Sequence, residues 1–211
     1  MKKYLMEGLG TFCLGLVLLM SAGSGGANSL APFTLGAMLV ALMYSARPVS
    51  GAHFNPAISL AVLIQGKLHR RDIFYYCLAQ LAGGVLAVFI AGFLLHCGGA
   101  PEITTRGNDP FCALIAEFIG VFVLAFVFLQ TTTHDSDTSQ MQPALAVGFA
   151  LAALTALFAG ISGAVFNPAL ALAMILSGFG AWGDFWLYLV SALLGAVAAV
   201  SVWRMVQEEA V

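Results

Sequence analysis

Apolar residues run almost unbroken along this chain, and the polar breaks between them are short. The long runs lie near 4–23, 31–49, 73–96, 111–131, 142–160 and 183–206. Each is close to the roughly 20 residues that carry a helix across a bilayer. Two further runs, near 55–65 and 167–177, are too short to cross and read as re-entrant or buried helices. Each opens on Asn-Pro and ends near a glycine, Gly66 or Gly178. Asparagine before a proline at the first helical position is a strong helix start. Asn55 and Asn167 are therefore expected to cap two half-length helices. The pattern predicts an all-α transmembrane fold: six membrane-spanning helices plus two re-entrant half-helices.

The two halves of the chain echo each other. Glu7-Gly-Leu-Gly10 returns as Glu117-Phe-Ile-Gly120, an offset of 110 (117 − 7). Ser50-Gly-Ala-His-Phe-Asn-Pro-Ala57 returns as Ser162-Gly-Ala-Val-Phe-Asn-Pro-Ala169, an offset of 112 (162 − 50). The expected organisation is a single domain over residues 1–211, with one repeat over about 1–100 and the other over about 110–211. Three spans per half is an odd number, so the second copy enters the membrane inverted. The half-helices then approach from opposite faces and meet N-terminus to N-terminus near the midplane.

Composition supports a lipid solvent. Of the 211 residues, 61% are hydrophobic and 9% charged, with mean hydropathy +0.96. Soluble domains carry about 25% charged residues. The net charge of -2 and the lack of a basic run argue against a nucleic-acid partner. Charge position gives an orientation instead. Lys2, Lys3, Arg47, Lys67, Arg70, Arg71 and Arg204 fall on one side of a six-span arrangement, and Arg106 on the other. The positive-inside rule then puts both termini in the cytoplasm. The apolar N-terminal stretch resembles a signal peptide, but no clean cleavage site follows and Glu7 interrupts it, so a retained first span is expected. Cys13, Cys77, Cys97 and Cys112 show no metal-site spacing. Cys97 and Cys112 flank one polar loop, which leaves a disulfide open. No metal or cofactor is expected.

Non-helical backbone at membrane depth survives only where protein buries it or water bathes it. Residues 50–54 and 162–166 are thus expected to line a pore, with their carbonyls as a ladder of acceptors. The Asn55 and Asn167 carboxamides each add NH2 donors at the meeting point. Two helix N-termini there place about half a positive charge each near the pore centre. A lone Asn-Pro pair would read simply as a helix cap; two at symmetric positions point to pore lining. Glu7 and Glu117 lie within spans, where ionisable groups are costly. His53 reads as a ligand or pH gate, or as a ring packed beside the pore and donating to backbone; the second is favoured.

These motifs resemble those of the aquaporin/aquaglyceroporin (major intrinsic protein) family. The resemblance rests on the two octapeptides, on Glu7 and Glu117, and on Gln80-Leu-Ala-Gly83, and it covers nearly the whole chain. It implies that Asn55, Pro56, Ala57, Asn167, Pro168 and Ala169 form the pore motifs. It implies that Glu7 and Glu117 brace the loops by accepting backbone N–H groups. It further implies a homotetramer with a pore in each subunit. Counting from the motifs, the family's selectivity filter falls at Leu35, Thr155, Ala164 and Leu170. The last is an arginine in most members, so this filter is uncharged. Ala192 also stands where the family often has proline.

The resemblance implies a passive channel for water or small neutral solutes in a lipid bilayer. Loss of the filter arginine keeps open an ion- or gas-permeable variant, or a closed structural membrane protein without flux. A secondary transporter would need coupling charges beyond Glu7 and Glu117. No nucleophile–base pair suggests an enzyme. Compact loops and short ends suit the plasma membrane of a bacterium, that is, its inner membrane.

Overall fold

The computed structural model describes residues 1–23, 30–98, 109–133 and 141–208, the side chains of residues 97, 98 and 208 excepted. The expectations for Arg106 and for a Cys97–Cys112 pair lie outside the described residues. Among the described residues, eight α-helices follow in order: α1 (Lys2–Gly23), α2 (Ala31–Ser50), α3 (Pro56–Gln65), α4 (Arg70–Gly98), α5 (Pro110–Thr132), α6 (Met141–Ser162), α7 (Pro168–Leu176) and α8 (Phe185–Glu208). A 3-10 turn, Trp182–Asp184, leads into α8. Among the described residues, six helical segments are long and apolar enough to cross a membrane. The two that are not, α3 and α7, have 10 and 9 residues.

The short helices form where local chemistry dictates. Asn55 is extended (φ −154°, ψ 124°), and its side-chain oxygen accepts from Ala57 N at 2.8 Å. Asn167 does the same for Ala169 N at 3.0 Å. Each cap takes up an N–H that the helix start leaves unpaired. Proline follows at the first helical position, where its missing N–H costs nothing. At the far end of α3, Gly66 turns left-handed (φ 91°) and its N–H closes onto Leu63 O. In α7, Ser177 stays right-handed and Gly178 makes the turn (φ 79°).

Packing repeats across the halves. α1 lies along α4, and α5 along α8. A Cβ added to Gly83 would stand 2.1 Å from the Gly8 carbonyl oxygen; one added to Gly195 would stand 2.9 Å from Val121 Cβ. α2 crosses α6, its equivalent in the other half, where Gly36 faces Gly148. A Cβ on Gly36 would meet Gly148 O at 2.5 Å, and one on Gly148 would meet Gly36 O at 2.7 Å. Small residues let these backbones approach, as membrane packing requires in the absence of a hydrophobic force between helices.

Candidate functional site

Two loops enter the helical bundle, 51–55 and 163–167, and both carry backbone that side chains disfavour. Ala52 (φ 58°), Phe54 (φ 52°), Ala164 (φ 51°) and Phe166 (φ 50°) are all left-handed, following Gly51 and Gly163. Such a conformation costs about 1–3 kcal/mol per non-glycine residue. The bundle offsets it with one carboxyl group per loop. Glu7 Oε1 accepts from Ser50 Oγ (2.6 Å) and His53 N (3.0 Å), and Oε2 from Phe54 N (2.6 Å). Glu117 repeats the set with Ser162 Oγ (2.6 Å), Val165 N (3.0 Å) and Phe166 N (2.6 Å). Each serine hydroxyl also accepts a loop N–H, from Ala52 and Ala164 respectively, at 3.1 Å. Bonds of this kind contribute about 0.5–3 kcal/mol each, enough to match the strain. The two phenylalanine rings fill the space left by Gly10 and Gly120, where an added Cβ would lie 2.1 Å from each ring.

The loops meet through their asparagines. Asn55 Nδ2 donates to Phe166 O at 2.8 Å, and Asn167 Nδ2 donates to Phe54 O at 2.9 Å. A carboxamide carries two N–H donors. One is used across the junction, and one remains on each amide toward the cavity that both residues line. The helix starts behind them add positive potential at the same point.

That cavity has a volume of about 40 Å³. A water occupies about 30 Å³ in the liquid and needs only roughly 10–15 Å³ of probe-occupied space, so the cavity suits a few waters. Its wall is largely aliphatic: Leu14, Leu35, Leu39, Met43, Leu151 and Leu170 surround the two amides. A second, wider cavity of about 380 Å³ opens on the face that carries Lys3, Arg47, Lys67, His69 and Asp72. Lys3 pairs with Asp72 there at 2.6 Å.

The residues singled out in the sequence are placed as follows. Asn55 and Asn167 face one cavity, and Ala57, Pro168 and Ala169 are buried in the first turns behind them. Leu35 and Leu170 line that cavity, whereas Thr155 and Ala164 are buried outside its lining. The Thr155 hydroxyl has no partner among the described residues. His53 differs from its expected contact. Its Nδ1 meets Ser59 Oγ at 3.1 Å rather than a backbone group, and its ring packs on Tyr76 and Phe128. Several loop carbonyls already accept a donor from the protein. Tyr76 OH donates to Ser50 O (2.6 Å) and Tyr188 OH to Ser162 O (3.0 Å). The Phe54 and Phe166 carbonyls accept the crossing amides.

Two participants escaped the sequence reading. Tyr76 and Tyr188 stand 112 residues apart (188 − 76), the offset of the pore motifs, and that repeat could have found them. Gln80 was noted only as part of a pattern. Its Nε2 lies 2.9 Å from both Glu7 Oε2 and Ser59 Oγ, joining the brace to the histidine. At the equivalent offset stands Ala192, which cannot do this.

Known proteins are similar to this chain in sequence and fold. The chain is 32% identical over 179 residues to a probable PIP-type aquaporin, pTOM75, of Solanum lycopersicum, covering 79% of this chain and 62% of that one. It is 33% identical over 181 residues to aquaporin NIP3-1 of Arabidopsis thaliana, covering 82% of this chain and 55% of that one. The chain thus spans less than two thirds of the length of these relatives. Among solved structures, the aquaglyceroporin from Plasmodium falciparum superposes with a TM-score of 0.78 at 21% identity, covering 96% of this chain and 94% of that one, which shows a shared fold. With the major intrinsic protein profile matching residues 2–203, the chain belongs to that family.

Proposed function

We propose that the chain is a passive channel for water or small neutral solutes, with its pore passing the Asn55–Asn167 junction. The observation that carries this reading is the pair of amides that line one cavity, each with an uncommitted N–H, at two opposed helix starts. A water between them accepts from both and turns its hydrogens outward. That orientation interrupts a proton wire, and the positive helix ends repel cations, as in other pores of this type. The family consists of channels, not enzymes.

Leu35 and Leu170 favour a second reading for selectivity. They line the cavity without charge or donor, and Leu170 stands where the family usually holds an arginine. An uncharged constriction admits weakly hydrated solutes such as dissolved gases, and at the limit it excludes water by dewetting. Ion leak is then opposed only by the helix ends.

The basic residues of the wide cavity support cytoplasmic termini, and a plasma membrane, such as a bacterial inner membrane, belongs to the same proposal. A homotetramer is part of the same proposal. Swelling of proteoliposomes in water, glycerol and urea gradients tests the main reading. Permeabilities above protein-free liposomes for at least one solute support it; equality for all three rejects it.

A further inference from the structure

Among the described residues, the narrow and wide cavities have two lining residues in common, His53 and Phe128. Helical stripes lead to the same place. On α2, Leu35, Leu39 and Met43 line the narrow cavity, and Arg47, one turn later, lines the wide one. On α5, Leu124 lines the narrow cavity, Thr132 the wide one, and Phe128 sits between them on the same face. The volume changes from about 40 to about 380 Å³ across this pair.

The two rings are held differently. His53 is fixed on three sides. Its backbone N–H donates to Glu7, its Nδ1 meets Ser59, which Gln80 holds in turn, and Tyr76 covers its ring at 5.1 Å between centroids. Phe128 has no polar tether. It meets the histidine edge to face, with centroids 5.6 Å apart and planes at 85°.

We propose that Phe128, set against the immobilised ring of His53, forms a second constriction that sets the size limit for solutes passing between the wide basic cavity and the pore centre. Leu35 stands about three turns along α2 from Arg47, which lines the wide cavity, so Phe128 selects by width independently of Leu35 and Leu170. Its bearing on transport rests on the pore reading above, but its existence does not.

Thiol labelling separates the two. The native cysteines are replaced by alanine, and Leu39→Cys supplies one reporter in the narrow cavity, with Arg47→Cys as a control in the wide one. Purified protein in detergent is reacted with N-methyl-, N-ethyl- and N-cyclohexylmaleimide. Phe128→Leu and Phe128→Ala are expected to speed labelling at position 39 roughly tenfold for the largest reagent and least for the smallest. Phe128→Trp slows it, and labelling at position 47 stays constant. Phe128→Leu keeps an apolar side chain in place, so it serves where the alanine variant fails to fold. An unchanged rate at position 39, or an acceleration equal for all three reagents, overturns the proposal and leaves the pore reading intact. Size-dependent acceleration without any solute flux in liposomes would uphold the constriction and reject the pore reading.

Discussion

Glu7 and Glu117 hold the loops in a conformation the loops would not keep alone. Glu117→Ala leaves the buried N–H groups of Val165 and Phe166 without an acceptor, and Glu7→Ala does the same to His53 and Phe54. Each unsatisfied donor costs about 1–3 kcal/mol, so either alanine variant should lose roughly 2–6 kcal/mol. Glutamine keeps one acceptor oxygen and should lose about half as much. Thermal melts in detergent would check this; equal losses for Gln and Ala would show that the carboxyls do not act as acceptors. The asparagines and glutamates were legible in the sequence because their roles are local or repeated: a cap follows from Asn-Pro, and the glutamates recur at nearly the motif offset. The Ser59 partner of His53 was not legible, since spacing alone does not say which way a ring points. For the same reason, counting from the motifs reached Leu35 and Leu170 at the cavity but not Thr155 and Ala164.

At the scale of elements, close contact between helices depends on missing side chains. Gly120→Ala would drive a Cβ to 2.1 Å from the Phe166 ring, and Gly148→Ala would put one 2.3 Å from Val40 Cγ2. Overpacking of this kind costs about 1–3 kcal/mol. Both variants should melt lower than wild type. Phe166→Leu should recover part of the loss in Gly120→Ala but none in Gly148→Ala, as double-variant melts would show. Recovery in both would mean that the effect is not the local clash. The six spans and two half-helices followed from run length and the Asn-Pro starts. Helix ends were less legible. α4 begins at Arg70, ahead of its apolar run, because Asp72 N–H closes a turn on His69 O and Lys3 and Tyr4 hold its carboxylate. The pairing of α2 with α6 through Gly36 and Gly148 was also missed, because glycines in an apolar run carry no sign of their partner.

For the whole molecule, the proposed pore places two opposed half-helices as a barrier to charge at the centre, while the aliphatic Leu35 and Leu170 in the cavity wall leave the solute open. Leu170→Arg would return a cation and strong donors to that wall. It should cut permeability to glycerol and urea, and any cation leak, by roughly tenfold or more. Parallel swelling and bilayer-current recordings would check this, and no change in either would remove Leu170 from the solute path. The proposed function is a pore for neutral solutes that excludes protons. It is tested most directly by measuring water, glycerol, urea and proton fluxes side by side in proteoliposomes of the wild-type chain. At least one neutral solute should cross faster than in protein-free liposomes, with proton flux unchanged. Neutral fluxes equal to those of protein-free liposomes, or a proton flux rising with the solute flux, would contradict it.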